Sequence, residues 1–304
     1  MQPFSDRLVE AVRAKGNPCV VGLDPRIELM PAFIQSSHNA PTREMIRSII
    51  TDFHELVLDA VADLVPAVKP QLAFFEQYGS AGIEAFENTV KAAKERGLLV
   101  IADAKRNDIA STAEAYVNAF LGKRAFDADS MTVTPYLGKD SLLPFVNGCT
   151  QHAKGLFVVL KTSNPGSGDF QDQILKSTGK PLYESIAATI DELGKQALGE
   201  HGYSSIGAVV GATFPDEGRR LRALMPQAIL LVPGYGAQGG SAQSAAACFH
   251  DDGMGALVNS SRGITYKYSG PDISRQAFAR TVRENTQKMI YDITSALKPS
   301  HASL

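Results

Sequence analysis

Residues 98–116 read LLVIADAKRNDIASTAEAY, and this stretch decides the fold and the chemistry predicted for the chain. It begins as a continuous apolar run, which is typical of a strand that is covered on both faces. Because side chains alternate along a strand, Asp103 and Lys105 are predicted to face the same side at its carboxyl end. Asp108 follows beyond the strand, and either Asp108 or Ser111 is predicted to cap the next helix.

The same pattern of an apolar run followed by a helical segment extends outward in both directions. Alternating units of this kind imply parallel strands, and eight of them favour a (β/α)8 TIM barrel, an α/β fold, over an open doubly wound sheet. No GxGxxG motif follows the first strand, which weakens a dinucleotide-binding interpretation. The seven further strand stretches are 19–25, 67–75, 131–136, 155–163, 206–213, 228–233 and 256–260.

One domain covering residues 1–304 is expected, because no linker of biased composition separates the units. A short amphipathic helix is predicted for residues 4–15, ahead of the first strand. Two connections are long, near 26–66 and near 164–205. The second follows the carboxyl end of a strand, where a segment of this length can form a lid over a ligand.

Composition and charge exclude several classes of protein. The 304 residues are 44% hydrophobic and 20% charged, as in an ordinary globular protein. The net charge of −2 does not favour a nucleic-acid-binding or membrane-binding surface, so an anionic ligand needs a local site. The three cysteines are far apart and odd in number, and residues 1–16 carry no apolar leader pattern. We therefore expect a cytoplasmic protein with reduced thiols and without a zinc site.

Charged residues recur where the predicted strands end. Asp24 ends the first strand and Lys69 lies in the second, while Asp103, Lys105 and Asp108 follow from the third. Each has a plain alternative explanation, such as a turn aspartate or a solvated rim lysine. In a barrel all these ends meet at one mouth, so the five together favour a catalytic site.

Two glycine-rich loops follow the seventh and eighth strands. Residues 233–240 read PGYGAQGG and precede a helix predicted for 241–250, whose first N–H groups are suited to an anion. Residues 260–263 read SSRG, and Arg262 can hold a phosphate through two parallel hydrogen bonds. Either loop alone could be a flexible turn, but barrel enzymes often bind phosphate at this pair of loops.

The stretch around Asp103, Lys105 and Asp108 resembles the D-x-K-x-x-D signature of the orotidine 5′-phosphate decarboxylase family, in particular its longer bacterial-type branch. That family usually has glycine where this chain has Asn107, a difference on a loop that is not expected to abolish activity. The resemblance runs from about residue 22 to residue 263.

The resemblance implies a role for each matching residue. It implies a homodimer with shared active sites, in which Asp108 and Thr112 enter the site of the partner subunit. It assigns catalysis to Lys105, Asp103, Asp108 and Lys69. It assigns substrate binding to Asp24 (ribose), Thr112, Ser163 (base), and Gln238, Arg262 and Gly263 (phosphate).

The implied reaction is decarboxylation of orotidine 5′-phosphate to UMP and CO₂ in de novo pyrimidine biosynthesis, without metal or other cofactor. Lys105 stabilises the carbanion at C6 and protonates it, while Asp103 faces the substrate carboxylate. Two like charges about 4 Å apart repel by roughly 4 kcal/mol at an effective dielectric constant near 20. Enzymes lower barriers by about 8–23 kcal/mol, so this repulsion is not the main contribution.

Two other functions stay open at this point. Metal-dependent keto-gulonate-phosphate decarboxylases and hexulose-phosphate synthases share the motif but carry an acidic residue on strand two, where Lys69 would repel Mg²⁺. A non-catalytic barrel that binds nucleotide phosphates is the second alternative, and the complete Asp/Lys set argues against it.

Overall fold

The computed structural model describes residues 1–35, 42–236 and 239–298. Eight parallel strands pair in chain order, and β8 pairs with β1, so the sheet closes on itself. The predicted (β/α)8 barrel is therefore confirmed. The strands are β1 Cys19–Leu23, β2 Ala67–Pro70, β3 Leu99–Arg106, β4 Ser130–Val133, β5 Gly155–Lys161, β6 Ser204–Val210, β7 Ala228–Val232 and β8 Ala256–Ser260.

Helices surround the barrel and pack on its outer face. Their apolar stripes and the outward-facing strand residues form one large buried cluster. Within the described residues the α-helices are α1 Phe4–Lys15, α2 Ala32–Gln35, α3 Arg43–Val61, α4 Leu72–Glu76, α5 Gly79–Glu95, α6 Ala110–Phe120, α7 Lys139–His152, α8 Leu182–Gly194, α9 Pro215–Leu224, α10 Ala242–Ala246, α11 Arg262–Thr265 and α12 Arg275–Leu297. No described helix combines the length and the apolar character that crossing a membrane requires.

The predicted helix at residues 4–15 is α1, and it covers the amino-terminal end of the barrel. Phe4 and Leu8 are 1% exposed and belong to the same apolar cluster as residues inside the barrel. The ring of Phe4 meets that of Phe157, on β5, edge to face at 6.1 Å. The interior is thus a packed core at this end, and a ligand must approach from the other end.

Two local predictions around the decisive stretch have different outcomes. Asp103 and Lys105 do face the same side, since the ammonium of Lys105 reaches the carboxylate of Asp103, although Lys105 has a left-handed backbone (φ 46°) and the pairing with β4 shifts register there. Neither Asp108 nor Ser111 caps the helix. A second left-handed residue, Ala110 (φ 46°), starts α6 instead, and the cap position has no side-chain hydrogen bond.

The two long connections contain short helical segments in addition to their main helices, α3 and α8. A 3-10 turn at Ile27–Leu29, α2 and α3 lie in the first, and residues 36–41 fall outside the described ranges. In the second, a 3-10 turn at Pro165–Asp169 precedes α8, and a further turn, Lys195–Ala197, follows it. The stretch 67–75, predicted as the second strand and its exit, forms a strand up to Pro70, and helix α4 begins two residues later.

Candidate active site

Asp103 is the centre of a charged network at the carboxyl end of the barrel. It lies near the end of β3 and is 6% exposed. The ammonium nitrogen of Lys69 lies 2.6 Å from its Oδ2, and that of Lys105 lies 2.6 Å from its Oδ1. The pairing of β2 with β3 thus brings the predicted lysines of both strands to one carboxylate.

Two neutral side chains, which no charge at a strand end indicates, complete the set of donors around Asp103. Gln71 donates to Oδ2 at 3.0 Å, and the hydroxyl of Thr132 donates to Oδ1 at 2.9 Å. Thr132 also accepts the backbone N–H of Lys105 at 2.9 Å, which ties that left-handed residue to β4. Neutral polar residues at strand ends therefore belong to the network together with the charged ones.

The network determines the charge state of its buried members. Burial alone would raise the pKa of Asp103, but the charges and hydrogen bonds of Lys69 and Lys105 outweigh burial and hold this pKa well below its ordinary value. Burial alone would lower the pKa of Lys69, but Asp103 and Asp24 raise it above its ordinary value. Asp103 and Lys69 are therefore an ionised pair at neutral pH.

The two lysines differ in their access to a ligand. The side chain of Lys69 is 6% exposed, whereas that of Lys105 is 45% exposed. Asp103 therefore holds one lysine within the wall and presents the other to the open mouth. A group that is oriented by a buried carboxylate and remains accessible is suited to meet a charge that develops on a substrate.

Asp24 lies at the same mouth, just beyond β1. Its Oδ2 accepts the hydroxyl of Ser261 at 2.6 Å, and its backbone carbonyl accepts the hydroxyl of Tyr266 at 2.8 Å. Its Oδ1 is buried and has no hydrogen-bond partner among the residues that the structure describes. One carboxylate oxygen is thus held in place and the other has no partner in the described chain, and the ribose contact that the resemblance implies stays a prediction.

Asp108 and Thr112 stand apart from this network within one chain. The Oδ1 atom of Asp108 accepts the backbone N–H of Ile109 at 2.8 Å, and Thr112 is exposed on α6. Neither has a hydrogen bond or an ion pair to Asp103 or Lys105. Their predicted roles depend on a second subunit.

Ser163 follows the end of β5 and approaches the backbone that follows β6. A Cβ atom at Gly211 would lie 2.9 Å from the backbone nitrogen of Ser163, so a side chain there would displace this loop. The close approach fixes the loop at the mouth, next to the network on β2 to β4.

The loops after β7 and β8 lie side by side because these strands pair. Gly234, Gly236 and Gly239 have positive φ values, which a turn this tight requires. Gln238 lies outside the described residues. The helix predicted for 241–250 is only α10, and the hydroxyl of Ser241 caps it, so fewer free N–H groups face a ligand than expected.

Arg262 contributes a positive charge to the loop that follows β8. It is the first residue of α11, it is exposed, and it forms no ion pair with any described side chain. Gly263 follows it and is half-buried. Because α10 offers fewer free N–H groups than expected, the predicted phosphate site depends mainly on Arg262.

Asn259 is a further residue of the mouth that the sequence pattern did not indicate. It pairs in register with Val20, which belongs to the cluster inside the barrel, so its side chain faces inward. It is 7% exposed, and its Oδ1 has no hydrogen-bond partner in the described part of the chain. A neutral amide in a β-strand carries no motif, and only the barrel register identifies it.

Comparison with known proteins agrees with this geometry. The family model described as "Orotidine 5′-phosphate decarboxylase / HUMPS family" matches residues 19–273. A relative from Rhodopirellula baltica, named orotidine 5′-phosphate decarboxylase, is 47% identical over 279 residues, which cover 90% of this chain and 92% of the relative. A protein of the same name from Caldicellulosiruptor saccharolyticus is 43% identical and covers 88% and 91% of the two chains.

A solved structure gives the same result at the level of the fold. The OMP decarboxylase of Leishmania donovani superposes on this chain with a TM-score of 0.74 and is 31% identical to it. The match covers 97% of this chain and 99% of the other. The likeness therefore includes the long connections as well as the barrel.

Proposed function

Because this chain belongs to the orotidine 5′-phosphate decarboxylase / HUMPS family, we propose that it converts orotidine 5′-phosphate to UMP and CO₂ in de novo pyrimidine biosynthesis. The single observation that carries the proposal is Asp103 between Lys69 and Lys105, with 2.6 Å to each ammonium group. This arrangement places a fixed anion and an accessible cation at one mouth.

Lys105 is the proposed proton donor. The bond between C6 and the carboxylate carbon breaks, CO₂ leaves, and the electron pair stays on C6. The Lys105 ammonium stabilises that carbanion, transfers a proton to C6, and the neutral amine then recovers a proton from solvent. Two observations support this role. The Lys105 side chain is 45% exposed, so it can contact a substrate, and its hydrogen bond to Asp103 fixes the direction of the ammonium group.

Asp103 contributes mainly by orienting the lysines. Unscreened, its repulsion of a substrate carboxylate about 4 Å away would amount to roughly 4 kcal/mol at an effective dielectric constant near 20. Here both of its oxygens are already bonded to ammonium groups, which weakens that repulsion further. The larger share of the barrier reduction therefore lies in carbanion stabilisation and in binding of phosphate and ribose, assigned to Arg262 with Gly263 and to Asp24.

A homodimer with shared sites is the proposed assembly. The loops after β3 and β4 leave the barrel side by side, since Arg106 pairs with Val133. They expose apolar side chains, with Ile109 54% exposed and Tyr136 86% exposed. Apolar surface of this kind next to Asp108 and Thr112 supports an interface that carries both residues into the neighbouring site.

The alternative functions fit the site less well. The metal-dependent barrels need an acidic residue on β2, where this chain places an ammonium group already paired with Asp103. The proposed reaction uses no metal or other cofactor. The proposed location is the cytoplasm, which agrees with three free, buried cysteines.

A turnover assay tests the proposed function directly. The purified protein is mixed with orotidine 5′-phosphate, the ultraviolet absorbance is followed, and the assay is repeated after dialysis against EDTA. Conversion to UMP at an unchanged rate is expected. Activity that disappears and returns with Mg²⁺ would favour the metal-dependent alternative, and binding of UMP without turnover would favour a non-catalytic barrel.

Subunit complementation tests the shared site. A Lys105→Ala homodimer and an Asp108→Ala homodimer are each expected to be nearly inactive. With free exchange half of the dimers are mixed, and each mixed dimer has one intact site, so an equal mixture should recover about a quarter of wild-type activity. Native mass spectrometry of differently tagged chains verifies exchange. Proven exchange without recovered activity would mean that Asp108 acts within its own subunit.

A further inference from the structure

Two neighbouring residues at the end of β5 bind two neighbouring residues that return from the following loop. Lys161 Nζ lies 2.5 Å from Asp172 Oδ1. The backbone N–H of Thr162 donates to Gln171 Oε1 at 3.0 Å, and Gln171 Nε2 donates back to the hydroxyl of Thr162 at 2.8 Å. We call these four residues the loop clamp. It closes the base of the loop 163–170, which carries Ser163.

Burial fixes which residue pairs with Lys161 in the loop clamp. Lys161 is 1% exposed, and its ammonium lies over the rings of Tyr183 and Phe214, at 5.5 and 5.1 Å from their centroids. A buried ammonium is costly unless an anion accompanies it, and Asp172 is the partner that the described residues provide. The ammonium of Lys161 cannot turn toward solvent, and it therefore holds Asp172 in place.

The returning segment is also bound on its other side. The carbonyl of Gln171 accepts the N–H of Tyr183 at 3.0 Å, and the carbonyl of Gln173 accepts the N–H of Leu182 at 2.9 Å. Residues 171–173 thus lie between the end of β5 and the start of α8. Both ends of the loop are attached to the barrel scaffold.

The clamp continues to the residue that follows Ser163. The Thr162 hydroxyl accepts from Gln171 and donates its own proton to Asn164 Oδ1 at 2.6 Å. Ser163 therefore lies between two residues joined by a hydrogen bond. Within the loop, Gln171 also donates its backbone N–H to the carbonyl of Ser167 at 3.1 Å. The chain around Ser163 has hydrogen-bonded neighbours on both sides.

We propose that Lys161, Gln171 and Asp172 are positioning residues that hold Ser163 ready for the pyrimidine base before the nucleotide binds. The inference rests on the proposed function, in which Ser163 contacts the base. If the loop is already ordered, ligand binding does not lose the conformational entropy of ordering it. The clamp therefore raises the affinity for the base. The phosphate and ribose contacts lie on other strands and are independent of it.

The test compares a ligand that contains the base with one that lacks it. Dissociation constants for UMP and for ribose 5-phosphate are measured by calorimetry for Asp172→Asn and for Gln171→Met. UMP affinity is expected to fall roughly 3- to 10-fold, the effect of freeing a few side chains, while ribose 5-phosphate affinity stays unchanged. Asp169→Asn is the matched control, because this exposed aspartate of the same loop has no contact with β5.

Three further variants keep the test decisive. Asp172→Asn leaves a buried ammonium unpaired, so the Lys161→Met, Asp172→Asn double variant removes both charges in case the single one fails to fold. Asp172→Glu keeps the carboxylate and should bind UMP nearly as tightly as the wild type. In a Ser163→Ala background the Gln171→Met change should weaken UMP little further, because the residue through which it acts is already gone.

The outcomes separate this inference from the proposed function. A wild-type protein without turnover of orotidine 5′-phosphate would overturn the proposed function. With turnover present and UMP binding weakened by Ser163→Ala, clamp variants that bind UMP normally would overturn the inference alone. Equal losses for UMP and ribose 5-phosphate, together with a lower melting temperature, would also overturn it, since they indicate a general structural role.

Discussion

The two ends of the barrel interior use the same strands in opposite ways. At the amino-terminal end, Ala67 and Ile101 face inward and join the apolar cluster that α1 covers. Two residues further along the same strands, Lys69 and Asp103 face inward as an ion pair. About 7 Å of strand separates the two levels, since a strand rises roughly 3.3 Å per residue.

The comparison shows how one backbone supplies stability and chemistry together. The apolar level needs no partners beyond close packing, so it tolerates little change in volume. The charged level is stable only because each charge meets an opposite charge or a donor, as Asp103 does with its two lysines and with Gln71 and Thr132. Substitutions at the charged level should therefore change turnover or ligand affinity, and substitutions at the apolar level should change the free energy of unfolding.

The largest expected effect is at the charged level. Lys105→Ala should reduce turnover by roughly 10²- to 10⁴-fold, the usual contribution of a general acid, while UMP affinity changes far less. The half-exposed side chain contributes little to folding, so the melting temperature should hardly move. Lys123→Ala, at an exposed lysine, is the matched control. Near-normal turnover of the Lys105 variant would show that another group donates the proton.

The apolar level should respond in stability instead. Phe4→Ala removes a ring that is 1% exposed and packs on Phe157, so the free energy of unfolding should fall by about 3–5 kcal/mol. Below the melting temperature kcat/KM should stay unchanged, because the charged level does not contact this ring. Denaturant titration measures the loss, with the exposed Tyr291→Ala as control. A large change in kcat/KM would mean that the two levels are coupled.

Arg262→Ala should affect phosphate binding and little else. Loss of charge-assisted hydrogen bonds worth about 1.5–3 kcal/mol predicts that UMP affinity falls roughly 10- to 150-fold. Uridine affinity should be unchanged, since that ligand has no phosphate. Arg275→Ala is a close control, because Arg275 is also exposed and also begins a helix after a serine. Equal losses for UMP and uridine would place Arg262 at the base or ribose.

The smallest expected effect at neutral pH concerns His54, a buried group outside the barrel interior that has no charged partner among the described residues. Its Nδ1 lies 3.1 Å from the Thr89 hydroxyl, which donates its own proton to the Ala85 carbonyl, so Nδ1 carries the proton. Its Nε2 is buried without a partner among the described residues, and burial lowers the pKa of His54 to about 3.

The pH dependence follows from that shift. Below its ordinary pKa of about 6.5 the unfolded chain binds a proton that the folded chain refuses, so stability is lost as pH falls. The loss should approach about 1.4 kcal/mol per pH unit between pH 6 and pH 4. His54→Asn keeps a donor toward Thr89 and should remove this slope, although it leaves a small cavity. An unchanged slope would assign the acid sensitivity to other groups.

The sequence predicts a residue's place correctly where hydrophobic periodicity and the position of a strand end are enough to locate it. Asp24, Lys69, Asp103 and Lys105 were found because they end apolar runs, and parallel strands bring such ends to one mouth. It failed where the backbone departs from a regular element. The left-handed Ala110 moved the start of α6, so neither predicted cap forms. Gln71, Thr132 and Asn259 were missed because neutral side chains carry no charge signal.

The sequence by itself determined the barrel and the charged residues that gather at its carboxyl end, because hydrophobic periodicity and strand ends are local properties of the chain. Only the tertiary structure decided the partners. Lys69 and Lys105 look alike in sequence, yet one is buried and the other open to the mouth. Lys161 also looks like a rim lysine, yet it binds Asp172 beside α8. Lys69 meets Asp103 because β2 pairs with β3, and Asp172 meets Lys161 because the loop after β5 folds back, and hydrophobic periodicity encodes neither contact.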